Sequence, residues 1–467
     1  MPDLPVEIWN YILDYAVDGD IDHLLPVNRV FFYRVMYNRW CSVTLPITGF
    51  REEVLARIQD PFVSKHVRTL HIVVHFDIPE LPSCGKRSMR NPMSLLSTEL
   101  PRKFIKTFAR PTPYKVPGPM DVLNIVAGIE FPCTEEIRVT TSTAAWPHSA
   151  HASLRAMLPS ISRNVNSSAL RALSLHASLP ELQIFLQQEP AFPTLLQFEL
   201  EIKQPESLSE SRDDAVVTQY LVPFINTARL HLRRLSVKSY YSLDLTNFFA
   251  NLSTFPSLRT LNISRAFNKT DIYPISFTQT CFQKFPALAC LFLPVIPRQR
   301  FHTDLDRHDV LYEWLRQCIT NERCFEGLKY FDIYPTAIPP ALNLLLTATR
   351  SNAHSLEQMQ IRGRFFEPEE VVQLLQALAQ CSNLKGLRMN VKLLDITVFR
   401  QLTSTLVALE TLILGVDTVS VRHLSLNIPV HIADDTSLCQ TAGIARRHEK
   451  LPVSVLEVEA ANDETLP

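Results

Sequence analysis

A short pattern, apolar-x-x-apolar-x-apolar, recurs ten times after residue 130 and limits the possible folds more than any other feature. Its instances are Thr134-x-x-Ile137-x-Val139 in a weak form, then triplets opening at Leu170, Leu195, Leu232, Leu258, Leu288, Leu328, Leu356, Leu384 and Leu409. The last three positions alternate as in a half-buried strand. Phe-Pro leads into the pattern at Phe131, Phe192, Phe255 and Phe285. Helix-like stretches precede several copies, at 245–252, 310–319 and 371–379. The last four copies are spaced 28, 28 and 25 residues apart, as in stacked repeats. One strand and one helix cannot bury their apolar sides alone, so neighbouring units must share a core. The fold class predicted is α/β: an irregular solenoid with a parallel sheet, whose array covers 121–425, its strands lining a concave face. Bare triplets also arise by chance in a chain this apolar, and a compact α/β domain is the alternative.

The first 46 residues have a different character. Pro5 and Glu7 suit the first turn of a helix, and Ile8, Ile12, Leu13 and Ala16 give it an apolar face. Asp18-Gly19-Asp20 ends it. A second short helix fits 21–25, stopped by Pro26, and a third fits 28–38, with Phe31, Phe32 and Val35 on its apolar side. Trp40 closes the unit before a strand-like 41–45. Three helices this short make a small core with large apolar side chains to spare, which points to a partner covering one face. An ordinary three-helix cap is the alternative.

The order Leu4-Pro5-x-Glu7-Ile8, Ile12-Leu13, Leu24-Leu25, Val27-Asn28-x-x-Phe31-Phe32 and Trp40 resembles the F-box. Asn28 and the Asp18-Gly19-Asp20 connection depart from its usual pattern. The repeats are similar to the leucine-rich repeats that follow many F-boxes, including those of large fungal families. They depart from them in lacking the asparagine or cysteine after the third apolar position. The resemblance implies a substrate-recognition subunit of a cullin–RING ubiquitin ligase. Its partners would be the Skp adaptor and cullin scaffold, plus an unknown protein substrate on the repeats. Leu4, Pro5, Ile8, Ile12, Leu24, Val27 and Trp40 would contact the adaptor, although each could equally pack inside the helical unit. A repeat scaffold without a ubiquitin role is the competing function.

Between the two regions, 47–76 reads as a helix near 51–60 and a strand near 67–73. Residues 77–120 hold eight prolines, and between Lys86 and Lys115 there are eight basic residues against one acid, Glu99. This reads as a solvated loop insertion or a contact for an acidic partner. Residues 426–467 lose the periodicity and read as a partly disordered tail.

The formal net charge is −1, which gives no global attraction for nucleic acid or membranes. Nine cysteines at irregular spacing, with no C-x-x-C, form neither a zinc motif nor a disulfide framework. With no basic-then-apolar leader and no long apolar run, the expected location is cytoplasmic or nuclear. Catalytic and phosphate-binding motifs are missing, so no enzyme activity, cofactor or metal is expected. The His302, Asp304, Asp306 and His308 cluster, the His71 and His75 pair, and Cys318 with Cys324 read as a solvated loop, ordinary histidines and structural thiols. Target contacts are expected from strand residues such as Arg259, Thr260, Asn262, Lys385, Arg388, Glu410 and Thr411.

Overall fold

Every triplet lies at the start of a parallel strand. The computed structural model describes residues 5–15, 29–48, 52–75, 119–141, 150–166, 169–203, 215–239, 246–265, 283–293, 326–335, 339–419, 441–443 and 455–460. It also describes Tyr312, Leu315, Arg316, Ile319 and Thr320. The 21–25 helix, most of the 77–120 insertion, the His302–His308 cluster, Cys318 and Cys324 lie outside these residues, as does most of the 310–319 helix. The chain divides into two units, Met1–Ala169 and Leu170–Pro467.

The first unit opens with helices α1 (Val6–Tyr15) and α2 (Arg29–Trp40), then β1 (Ser42–Pro46), α3 (Glu52–Ile58), α4 (Pro61–Ser64) and β2 (Thr69–Val74). It continues with α5 (Pro119–Gly128), β3 (Glu136–Thr141) and α6 (His151–Asn164). Strand β2 pairs in parallel with β1 on one side and β3 on the other. Leu70, Ile72, Val74, Ile137 and Val139 are fully buried, as period-two alternation requires. Asp60 caps α4 by accepting the Phe62 amide at 2.9 Å, and Pro61 occupies the first turn, where no N–H is needed.

The second unit begins with β4 (Ala172–Ala177), α7 (Leu179–Leu186), β5 (Gln197–Ile202), a π-helical turn (Val217–Leu221), α8 (Val222–Thr227) and β6 (Arg234–Ser239). Next come α9 (Thr246–Asn251), β7 (Thr260–Arg265), β8 (Cys290–Leu293), β9 (Tyr330–Ile333), α10 (Pro339–Ser351) and β10 (Gln358–Phe366). The unit ends with α11 (Pro368–Leu378), β11 (Gly386–Leu394), α12 (Ile396–Thr405), β12 (Thr411–Val419), β13 (Thr441–Gly443) and β14 (Val455–Ala460). From β4 to β12 each strand pairs in parallel with the next in sequence. Strand β14 continues the row beside β12, and β13 runs antiparallel to β14. From β4 to β12 sequence order thus equals spatial order, as stacked repeats require, and only β13 and β14 exchange places.

The triplet has a mechanical explanation. Its first leucine plugs the turn before the strand, and Leu170, Leu195, Leu232, Leu258, Leu288, Leu328, Leu356, Leu384 and Leu409 are all buried. Its other two residues face the helices: Phe198 meets the ring of Phe224 from α8 at 5.5 Å, and Met359 receives the Thr349 hydroxyl of α10 at 3.7 Å. In Phe-Pro-x-Leu, the phenylalanine carbonyl accepts the leucine amide three residues on, at 3.2 Å for Leu195 and Leu288 and 3.3 Å for Leu258. Proline presets φ at the second turn position. Each incoming strand then gives two consecutive amides to one carbonyl of its neighbour; Arg171 O, for example, accepts from Leu196 and Gln197, both at 2.9 Å.

No regular asparagine ladder is needed, because scattered side chains satisfy the turns. Asn352, buried, accepts the Leu328 amide at 3.0 Å and donates to Ala348 O at 2.9 Å. Ser257 donates to Leu230 O, Ser355 to Leu328 O and Asn383 to His354 O. Capping boxes start α7 (Ser178 with Glu181) and α11 (Glu367 with Glu370), and Asp395 caps α12.

Candidate functional site

Two surfaces have properties that packing does not account for. The first is the outer side of α1 and α2. Helix α2 buries Phe31 and Val35, one turn apart, and Phe31 meets Trp9 of α1 edge-on at 5.2 Å. Its next face reaches α4: Phe32 lies 5.6 Å and Tyr33 6.4 Å from the Phe62 ring, with Lys65 Nζ 4.0 Å over that ring. His66 joins this aromatic group, and burial, with Lys65 and Arg68 nearby, holds its pKa below the ordinary histidine value.

What these contacts leave over is apolar and exposed. On α1, Ile8 is 46% exposed, Tyr11 63% and Ile12 41%; at spacings of three and four residues they form one stripe. Tyr37 of α2 is also exposed. Among the residues expected to meet an adaptor, Pro5, Ile8 and Ile12 are exposed and Trp40 is half-buried. Leu4, Leu24 and Val27 lie outside the described residues.

The second surface is the face of the second unit's sheet turned away from the helices. One row across it, in strand register, reads Ser174, Glu199, Ser236, Asn262, Phe292, Asp332, Gln360, Arg388 and Ile413. Two polar groups form on it. At β4–β6, Lys238 bonds Glu199 at 2.5 Å and His176 lies 3.8 Å from Glu201. Burial pushes the Glu199 pKa upward, but the Lys238 bond and charge, with His176 and Arg234, outweigh it and hold the carboxyl below its usual value. Burial dominates at His176 and lowers its pKa despite Glu201 and Glu199.

At β9–β11 the centre is Asp332, whose side chain is only 6% exposed. Arg362 donates to Asp332 Oδ2 at 2.7 Å and to the Tyr334 hydroxyl at 3.3 Å, and also bonds Gln360. Asp332 Oδ1 has no hydrogen-bond partner. Burial raises the Asp332 pKa, opposed by Arg362 and Arg388. A bulge in β10 lies beside this group: the pairing with β11 shifts between Gln360 and Phe365. Gly363 turns there at φ 74°, and a Cβ on it would stand 3.2 Å from the Tyr334 ring.

Of the strand residues expected to contact a target, Thr260, Asn262, Arg388 and Thr411 lie on this open face. Arg259, Lys385 and Glu410 stand just before their strands, exposed. Asp332 and Arg362 were missed, and the signal available was the glycine between two arginines, Arg362-Gly363-Arg364. His71, half-buried on β2, bonds Thr140 Oγ1 at 3.0 Å, and His75 is exposed. Burial pushes the Cys381 thiol up to about 11, which leaves it a neutral core group. Among the described residues no helix is long and apolar enough to cross a membrane.

No protein-family profile matches the sequence, and none of the curated proteins does. Among solved structures the chain is similar to a crystal structure of a protein from Bacteroides fragilis. The match has 16% sequence identity, covers 49% of this chain and 67% of that one, and has a TM-score of 0.30.

Proposed function

We propose that this chain is a substrate-recognition subunit of a Skp–cullin–F-box ubiquitin ligase, with residues 1–46 as the F-box and a leucine-rich-repeat solenoid as the target-holding part. The observation that carries the reading is the exposed Ile8, Tyr11 and Ile12 stripe, set in a segment whose residue order resembles the F-box. Helix α1 already spends Trp9 on the internal contact with Phe31, and Ile8 and Ile12 stay exposed beside it. Large apolar side chains grouped on a small surface mark a protein contact. In this role the chain forms and breaks no bonds; it brings a bound target close to the transfer machinery, and proximity is its contribution.

Co-expression with the Skp adaptor tests this reading. The wild-type chain is expected to co-purify with the adaptor, and a Pro5→Ala, Ile8→Ala double variant to release it while staying folded. A wild-type chain that never retains the adaptor would leave a repeat scaffold without a ubiquitin role.

A further inference from the structure

The residues immediately before the strands of the second unit form a row of their own, because each gives or receives the paired backbone bonds described above. In order they are Arg171, Leu196, Arg233, Arg259, Ala289, Lys329, Glu357, Lys385 and Glu410. Its later part is electrically balanced. Lys329 bonds Glu357 at 2.7 Å, and Lys385 lies 3.3 Å from Glu410.

The earlier part shows no such pairs among the described residues. Among the described residues from 215 to 293 there are seven basic residues and no acid. Lys238 is bonded to Glu199, and Lys284 to the carbonyls of Phe249 and Ala250. Five arginines are left, and of these Arg229, Arg233, Arg234 and Arg259 are exposed and form no ion pair among the described residues, although the charge of Arg234 reaches Glu199. Arg233 and Arg259 sit on adjacent strands, since Arg233 O accepts the Arg259 amide at 2.9 Å. Strand spacing is about 4.8 Å, and like charges opposite each other are destabilising. An acidic group laid between them would relieve that repulsion.

The patch is also partly apolar. Leu230, between Arg229 and His231, is 59% exposed, and Ser257 pins its turn through the 2.8 Å bond to Leu230 O. Leu196 and Ala289 interrupt the basic row on either side. A polyphosphate has no apolar group to set on Leu230; a polypeptide carrying carboxylates and an aliphatic side chain has both. From Arg171 to Arg259 is three strand spacings, roughly 14 Å, which an extended segment covers in about four residues.

We infer that the Arg229, Leu230, Arg233, Arg234 and Arg259 surface binds a short extended polypeptide segment bearing acidic and aliphatic side chains. This rests on the reading of the second unit as the target-holding part and names the chemistry of what it holds.

Fluorescence anisotropy of the full chain with a short labelled peptide of alternating glutamate and leucine tests the inference. Binding is expected at low salt and should weaken as salt rises. Arg233→Glu with Arg259→Glu should lower affinity about tenfold or more, and Leu230→Ser about threefold. Thermal melting of each variant checks its fold, and the two sets of substitutions are read independently. Failure of the wild type to bind, or equal binding by the charge-reversed chain, overturns the inference. So does equal competition by single-stranded DNA with no effect of Leu230→Ser, which would mark a general polyanion surface. Binding that appears only after deletion of 205–214, which holds Glu206, Glu210, Asp213 and Asp214, would assign the surface to the chain's own acidic segment and also overturn it. Adaptor capture, measured beside these, should not change in any of the variants. Its loss in the wild type would count against the ligase reading alone.

Discussion

The opening helices and the repeat strands use the same kinds of apolar residue in opposite ways. Leu235, Leu261 and Leu291 lie on the helix side of strands whose neighbours on both sides repeat the arrangement, and all three are buried. Ile8 and Ile12 lie on a helix that has already found its internal partner through Trp9, and both are exposed. The difference shows what stacking achieves: a repeat meets its own covering in the next copy, whereas the short helical unit has no next copy and leaves Ile8 and Ile12 exposed.

Core truncation should give the largest effect. Leu235→Ala is expected to cost about 3 kcal/mol in chemical denaturation, whereas Ile8→Ala should cost less than about 0.5 kcal/mol. Equal losses would erase the contrast. Asn352→Ala comes next, at about 2 kcal/mol, because the buried Leu328 amide loses its acceptor. A smaller loss in thermal melting would mean that water or another side chain can serve the turn. Gly363→Ala should cost about 1 kcal/mol or more, since its φ of 74° and the nearby Tyr334 ring both oppose a Cβ. It should also loosen the Arg362 contact with Asp332, and unchanged stability would mean that the bulge is not strained by a side chain.

The smallest effect concerns acid. The Glu199 carboxyl has a lower pKa folded than its ordinary 4.5, so its contribution is present above that value and fades as pH falls through the folded pKa. Glu199→Gln should therefore flatten the acid limb of the stability profile, by less than about 1 kcal/mol because the pair is partly solvated. Asp332 runs the other way: its pKa is raised above the ordinary 3.8, so its contribution declines as pH climbs from there through the raised value. Acid limbs that coincide for wild type and Glu199→Gln would remove Lys238 as the cause.

The strands were legible because burial on one face of a sheet imposes a period of two, and the turn-plugging leucine adds a fixed offset before it. Phe-Pro-x-Leu was legible because proline presets the turn. The β10 bulge was not, since Ile361-Arg362-Gly363-Arg364 alternates like any strand and only the register with β11 exposes the shift. Helix α5 was hidden by Pro117 and Pro119, which read as loop although Pro119 stands at the helix start. The unpaired arginines were visible individually. That they stand side by side depends on which strands neighbour each other, and the triplets show that only once the order of pairing is known.

Titration calorimetry of the full chain against purified Skp adaptor tests the role of the uncovered helical stripe most directly. A saturable complex is expected, weakened by about 2 kcal/mol, roughly thirtyfold, in an Ile8→Ala, Ile12→Ala variant whose melting matches the wild type. No heat with the wild type, or the same affinity in the variant, would contradict it.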